Sequence, residues 1–312
     1  MGIHLLNTFL KKQKCNGITE ISLSELNGKK IAIDTSIYLY RYKQQGALIE
    51  KMFNLCSILR YYNICPVFIF DGKASPQKRE ALSLRSTRRK EAKEELKYCV
   101  CQLEKADSLK TIQLNRKISA LKKRTTKLTI DDIKNVKILL NLYGMVWVHA
   151  KGEADELCAA LVCSNIAYAC LSEDTDMFVL GVPRILKYFS LIQHTCVLYQ
   201  TDQILQHLHM DLENFRHLCI ISGTDYNKQM GNIFTFYELY SQFTPSVDSF
   251  LQWLCGKHIS MQNYYKVLDI MDFYDINSSD ILQQYKYIPI KNKNFQMKKL
   301  KKFLQMHNFM FC

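Results

Sequence analysis

AYACLSEDTDMFVLG, Ala167–Gly181, places three carboxylates, Glu173, Asp174 and Asp176, between two apolar runs. AYACL reads as a buried strand, and MFVL opens the next buried segment. A solvated turn between two elements would account for an isolated acidic cluster, because loops carry most charges. A metal site would account for it too, provided that acids from elsewhere in the chain converge on the same place. The rest of the sequence is read for those partners.

Strand-like and helix-like segments alternate. KKIAID (Lys29–Asp34), CPVFIFDG (Cys65–Gly72), MVWVHA (Met145–Ala150) and AYACLSED (Ala167–Asp174) are β-rich runs. Helical segments, among them Ser36–Tyr61 and Glu153–Cys163, lie between them. This order predicts an α/β fold with a mainly parallel, twisted sheet flanked by helices. Thr129 and Asp132 resemble a capping box, and Ile133, Val136, Leu140 and Tyr143 follow on one helical face.

The 312 residues are 48% hydrophobic and 23% charged, ordinary values for a globular chain with a sizeable core. The formal net charge of +13 favours a polyanionic partner, either nucleic acid or an anionic membrane. No apolar run reaches membrane-spanning length. The 12 cysteines form no C-x-x-C pair; with no secretory signal they read as reduced thiols of an intracellular protein.

The positive charge is concentrated. Lys78–Lys127 holds sixteen Lys or Arg against six Asp or Glu, with neither Pro nor Gly. It reads as a largely helical, poorly buried segment without a continuous apolar stripe. After Asp280 a second basic stretch includes Lys286, Lys291, Lys293, Lys298, Lys299, Lys301 and Lys302 and no acid.

Function in an open parallel sheet gathers at the carboxyl ends of its strands. Asp34 and Asp71 end the first two strands, and Asp174 ends the fourth with Asp176 just beyond. Glu153 and Asp155 follow the third, and Asp225 follows the apolar LCIISGT. One acid at a strand end is often a turn residue or helix cap. Seven at one rim repel one another unless cations neutralise them. Mg²⁺ takes oxygen ligands and keeps several waters, and two such ions can serve phosphodiester hydrolysis. No P-loop, G-x-S-x-G or H-E-x-x-H motif offers a different chemistry.

These residues, in this order, resemble the flap endonuclease family of structure-specific 5′ nucleases. The resemblance runs through MGI (Met1–Ile3), IAIDTSIYLY, VFIFDGKASPQKREALSLRSTRR, GEADELCAAL, SEDTD and LCIISGTDY. Asp155 stands where the family usually has Glu. The resemblance implies one nuclease domain over 1–312. It comprises an N-terminal nuclease region (1–77), a basic helical arch (78–128), an internal nuclease region (129–235) and a helical C-terminal region with a basic tail (236–312). It implies that Asp34, Asp71, Glu153, Asp155, Asp174, Asp176 and Asp225 hold two Mg²⁺ ions, which Mn²⁺ can replace. Lys78 and Arg85 match cations at the scissile phosphate, Arg88 and Arg89 match arch cations that steer the flap, and Tyr40 matches an aromatic that stacks on a base.

The implied activity is 5′ flap endonuclease and 5′→3′ exonuclease on DNA with flaps, nicks or free 5′ ends, in replication, repair or recombination. A monomer without membrane attachment is expected, in the nucleus or, for a viral protein, at a host nuclear or cytoplasmic replication site. Two readings stay open beside it: an RNase of the same superfamily that degrades mRNA, and a catalytically inactive nucleic-acid-binding module. The sequence departs from the family after Asp225. YNKQMGNIFTFYELYSQF keeps only Gly231 of a glycine-rich helix–hairpin–helix that binds duplex with K⁺. No clear sliding-clamp peptide stands near Cys312.

Overall fold

The computed structural model describes residues 2–73, 78–103, 108–227, 229–244, 249–285, 288 and 294–309, without the side chains of 79–82 and 108–109. Its seven strands are β1 (Ile18–Ser22), β2 (Lys30–Asp34), β3 (Cys65–Phe70), β4 (Val146–His149), β5 (Ala169–Leu171), β6 (Arg184–Lys187) and β7 (Thr195–Gln200). They form one sheet in the order β1-β7-β6-β5-β2-β3-β4.

The four strands expected from the sequence are all present and mutually parallel, with β2 between β3 and β5 and β4 beyond β3. Pro66 through Phe70 are buried without alternation, as a strand covered on both faces requires. The sequence reading missed β1, β6 and β7. β6 adds parallel to β5, whereas β7 and β1 run antiparallel at that edge. β6 has four residues and sits in an apolar stretch that carries no period of its own. β1 is an edge strand whose Thr19 and Glu20 are exposed, so its pattern is too polar to announce a strand.

The helices are α1 (Leu6–Lys12), α2 (Thr35–Gln44), α3 (Leu48–Tyr61), α4 (Arg79–Leu103), α5 (Ser108–Thr125), α6 (Ile130–Tyr143), α7 (Ala154–Cys163) and α8 (Asp176–Val179). They continue with α9 (Thr201–Leu208), α10 (Leu212–Ile221), α11 (Ile233–Gln242), α12 (Phe250–Leu254), α13 (Met261–Tyr274), α14 (Ser278–Gln283) and α15 (Met297–Met306). Expected as one helix, Ser36–Tyr61 is two, separated at Gly46, whose φ of 71° ends α2. None of the described helices is long and apolar enough to cross a membrane.

The chain divides into two compact units. The first comprises Met1–Thr35, Cys56–Lys73 and Met145–Lys293 and holds the entire sheet. Its core includes α7, where Ala154 and every residue from Leu157 to Val162 are buried. The second comprises Ser36–Leu55, Ala74–Gly144 and Asn294–Cys312. Within it α4 and α5 pack along a seam of Ala92, Leu96, Cys99 and Leu103 against Leu114, Ile118 and Leu121. This corrects the expectation of no apolar stripe. The stripe escapes notice because Ala and Cys contribute to it and lysines crowd its flanks. Glu95 and Lys117 bridge the two helices at 2.8 Å.

α6 carries the anticipated capping box, with the Asp132 amide donating to Thr129 Oγ1 at 3.1 Å and the Thr129 amide to Asp132 Oδ2 at 2.9 Å. α15 packs on α6 with Leu300, Phe303 and Leu304 buried, so Lys298, Lys299, Lys301 and Lys302 form its exposed face. Lys286, Lys291, Lys293 and the end at Cys312 lie outside the described residues.

Candidate metal centre

The anticipated acids on the sheet all belong to the first unit. Asp34 ends β2 and is buried. Its carboxyl is pushed well above the usual carboxylate range, first by burial, then by the charges of Asp71 and Asp155. Ser172 opposes the rise through a hydrogen bond, and Asp174 adds to it. Acids from the end of β3, α7 and the turn after β5 therefore all act on Asp34 at the end of β2. This is the electrostatic signature of hard oxygen donors gathered for a cation.

Local chemistry holds each acid in place. Gly72 follows Asp71, and a β-carbon there would collide with the backbone oxygens of Ala150, Lys151 and Gly152. This close approach lets the Gly72 amide donate to Gly152 at 2.9 Å, joining the loop after β3 to the start of α7. Asp71 Oδ1 then accepts from the Ala154 amide at 3.0 Å, so Asp71 satisfies the first turn of α7 from a neighbouring strand. Glu153 occupies the N-cap position of α7, but its side chain makes no capping bond. Asp155 Oδ1 accepts from the Glu156 amide at 2.8 Å.

The acidic turn is braced by hydroxyls. Ser172 Oγ donates to Asp34 Oδ2 at 3.0 Å and accepts from the Asp174 amide at 3.1 Å. Asp174 Oδ1 accepts from the Asp176 amide at 3.1 Å, and Asp176 is buried at the start of α8. Thr175 Oγ1 accepts from the Ile3 amide at 2.6 Å, tying the amino-terminal MGI to the turn.

Glu173, the remaining carboxylate of the opening motif, serves the scaffold. Its carboxylate accepts from the Tyr188 amide at 3.0 Å, and its backbone carbonyl accepts from buried Lys187 at 2.8 Å. The sequence reading passed over Ser172, Thr175 and Lys187. The alternation of hydroxyl and acid in SEDTD was the available signal for the first two; nothing local marked Lys187.

Asp225 lies in the turn after α10. That turn is built by Asn227 Oδ1, which accepts from the Thr224 amide at 3.0 Å and the Thr224 hydroxyl at 2.6 Å. Among the described residues, no three Asp, Glu, His or Cys side chains already stand in ligating geometry about one point. The donor chemistry nevertheless fits a hard divalent ion held partly through water, which needs few direct carboxylates.

The candidate substrate cations lie in the second unit. Lys78 immediately precedes α4 and is half-buried, as are Arg85 and Arg89, while Arg88 is exposed. Arg85 and Arg89 continue the helical stripe of Ala92, Leu96 and Cys99, and Arg88 stands off it. On α2, Tyr38 and Tyr42 are buried, while Tyr40 is 38% exposed.

Residues 1–92 match the XPG N-terminal domain and residues 144–225 the XPG I-region. Flap endonuclease 1 of Theileria annulata is 32% identical over 244 residues, which cover 72% of this chain and 46% of that protein. Flap endonuclease 1 of Glycine max is 31% identical over 245 residues, covering 72% of this chain and 62% of that one. The chain belongs to the flap endonuclease family. It spans less than two thirds of the length of these two relatives. Flap endonuclease 1 of Entamoeba histolytica is 29% identical over 304 residues, covering 88% of this chain and 78% of its own.

The fold of the family is equally evident among solved structures. The catalytic core of Rad2 in complex with a DNA substrate superposes with a TM-score of 0.64 at 22% identity, covering 98% of this chain and 94% of that one. Flap endonuclease-1 from Methanococcus jannaschii gives 0.60 at 20%, covering 98% and 93%.

Proposed function

We propose that this chain is a divalent-metal-dependent, structure-specific 5′ flap endonuclease with 5′→3′ exonuclease activity on DNA. The observation that carries the reading is the convergence of Asp71, Asp155 and Asp174, from separate elements at the carboxyl ends of the strands, on buried Asp34. Glu153, Asp176 and Asp225 complete the donor set by position in the family's motifs. Two Mg²⁺ ions, or Mn²⁺ in their place, supply water activation and stabilisation of the leaving oxygen when bound.

The chain's own contribution is to hold these donors. Ser172 orients Asp34, Asp71 is fixed by the first turn of α7, and Ile3 and Lys187 anchor the turn that presents Asp174 and Asp176. Lys78 and Arg85 are assigned to the scissile phosphate, where guanidinium and ammonium groups offset developing charge. Arg88 and Arg89 are assigned to the flap strand, and Tyr40 to an unpaired base, whose π-face any aromatic can hold without reading sequence. The partners are DNA flaps, nicks and free 5′ ends, handled by a monomer at an intracellular site of replication or repair.

The test is Mg²⁺-dependent cleavage of matched flap, nicked, single-stranded and RNA substrates. Preferred cutting of the DNA flap near its junction supports the proposal. Preferred cutting of RNA would favour an RNase of the same family, and binding without cleavage on any substrate would favour an inactive binding module.

A further inference from the structure

The amino-terminal ends of the strands carry a second charged feature. Lys30 begins β2, Arg184 begins β6, and Tyr168 immediately precedes β5. With Gly28, Lys29 and Asn165 they line a pocket of about 320 Å³ in the first unit. Its polarity is opposite to that of the acidic centre. Lys30 and Asp34 are the two ends of one strand, so about 13 Å of extended chain separates their α-carbons.

The pocket concentrates cations around one aromatic ring. Lys29 Nζ stands 4.8 Å from the centroid of Tyr168 and the Arg184 guanidinium 4.7 Å from it. Arg184 is aimed by a 2.6 Å hydrogen bond from its Nε to the Tyr168 carbonyl. The described lining contains no Asp or Glu. A cation–π contact does not neutralise charge, so Lys29, Lys30 and Arg184 have no neutralising anion in the described lining.

The backbone amides around the pocket are already bonded. Gly28 donates to Asn63, Lys29 to Leu26, Ile166 and Ala167 to Leu161, and Tyr168 to Lys30. Recognition must therefore come from side-chain charge. The Arg184 guanidinium fork beside the Lys29 ammonium, with Lys30 also in the lining, matches the multiple oxygens and charge of a phosphate better than a single carboxylate.

We propose that Lys29 and Arg184, which flank Tyr168, form with Lys30 a phosphate-binding pocket distinct from the acidic centre. The phosphate belongs either to a polynucleotide strand or to a free nucleotide, and the pocket reads its charge without reading a base. This chemistry stands whether or not the chain cleaves flaps.

Titration calorimetry without divalent cation tests it, using pyrophosphate and, separately, a short single-stranded oligonucleotide. Lys29→Ala/Lys30→Ala is compared with the parent chain. Both lysines are exposed, and their backbone bonds do not depend on the side chains. Losing two charged contacts should weaken pyrophosphate about 10-fold or more. If the natural phosphate is that of a strand, oligonucleotide affinity should fall as well, and its log–log salt slope should shrink by about 1.4. Weakening of pyrophosphate alone assigns the pocket to a free nucleotide. Unchanged affinity for both overturns the proposal.

Arg184→Lys keeps the charge but loses the fork and should weaken pyrophosphate by an intermediate amount, with unfolding followed in parallel. The rate of flap cleavage at saturating substrate should be the same in the parent chain and the double variant. Failure of the nuclease reading would show as absent cleavage in the parent and would leave these titrations unaffected.

Discussion

The ammonium of Lys187 donates to the backbone carbonyl of Glu173 at 2.8 Å from a position sealed from solvent. A charge is thus buried beside the turn that carries Asp174 and Asp176. Burial lowers the pKa of Lys187 to about 8, against the opposing pull of Glu173 and Asp174.

That depression has a definite sign in stability. Between about pH 8 and the 10.5 of an ordinary lysine, the unfolded chain binds more protons than the folded one at this site. Stability contributed by Lys187 therefore rises with pH across that window, by on the order of 3 kcal/mol in all. Lys187→Met should flatten the rise, measured by urea unfolding at a series of pH values. An equal rise in the variant would show that other groups produce it.

Asp34→Asn should separate stability from activity. In EDTA the variant should unfold at a higher temperature than the parent, because it removes a buried carboxyl that Asp71, Asp155 and Asp174 disfavour in its charged form. In Mg²⁺ its cleavage should be lost while flap affinity changes little, and Asp176→Asn should share the loss. Thermal melts and single-turnover assays report the two halves; parent-like cleavage by either variant would remove that residue from the donor set.

Gly2→Ala should impair the same turn from the amino terminus. Gly2 has φ of 81°, and a β-carbon there would fall on Asp174 Oδ1 and Thr175 Oγ1. A residue with a β-carbon at this φ costs about 1–2 kcal/mol. An ångström-scale shift of a catalytic group can cost about 10²-fold in rate. The expected outcome is a steep fall in Mg²⁺-dependent cleavage with a small change in melting temperature. A parent-like rate would mean that the turn keeps its place without this contact.

Arg85 and Arg88 should separate by kinetics. Arg85→Ala should lower the single-turnover rate on the order of 10²-fold with a smaller change in affinity, as expected for a group acting at the transition state. Arg88, exposed and off the stripe shared by Arg85 and Arg89, should act through flap positioning, so Arg88→Ala should mainly weaken binding as salt rises. Purely binding-type defects of equal size in both would merge their roles.

Cleavage should not distinguish K⁺ from Na⁺ at equal ionic strength. Asn232 caps α11 through a 3.0 Å bond from the Phe234 amide, and Ile233 is buried in the core. None of residues 232–234 has positive φ. The segment is thus committed to starting a helix, without the glycines that allow a tight amide–phosphate approach. Rates in KCl and NaCl on downstream duplexes of decreasing length test this; a K⁺ preference that vanishes on short duplexes would reverse it.

Strands β2 to β5, the capping box of α6 and the acids at the strand ends were legible in the sequence, because apolar β-rich runs, a cap pair and strand-end charge leave local patterns. The helical character of the basic segment was legible from its charge and its lack of Pro and Gly, whereas its apolar seam between α4 and α5 was not. Sequence did not reveal β1, β6 or β7: β1 is a polar edge strand, and β6 is four residues long without a period of its own. It also could not divide the acids of SEDTD. Glu173 is spent on Tyr188 and Lys187, while Asp174 acts on Asp34, and that division exists only once β5, β6 and β2 lie side by side. The positive pocket was invisible for the same reason. Lys29, Tyr168 and Arg184 are distant in sequence, and only parallel pairing of their strands brings their amino ends together. Sequence determined which groups carry charge. Tertiary structure decided which charges meet, because electrostatic interaction depends on distance through space and on burial.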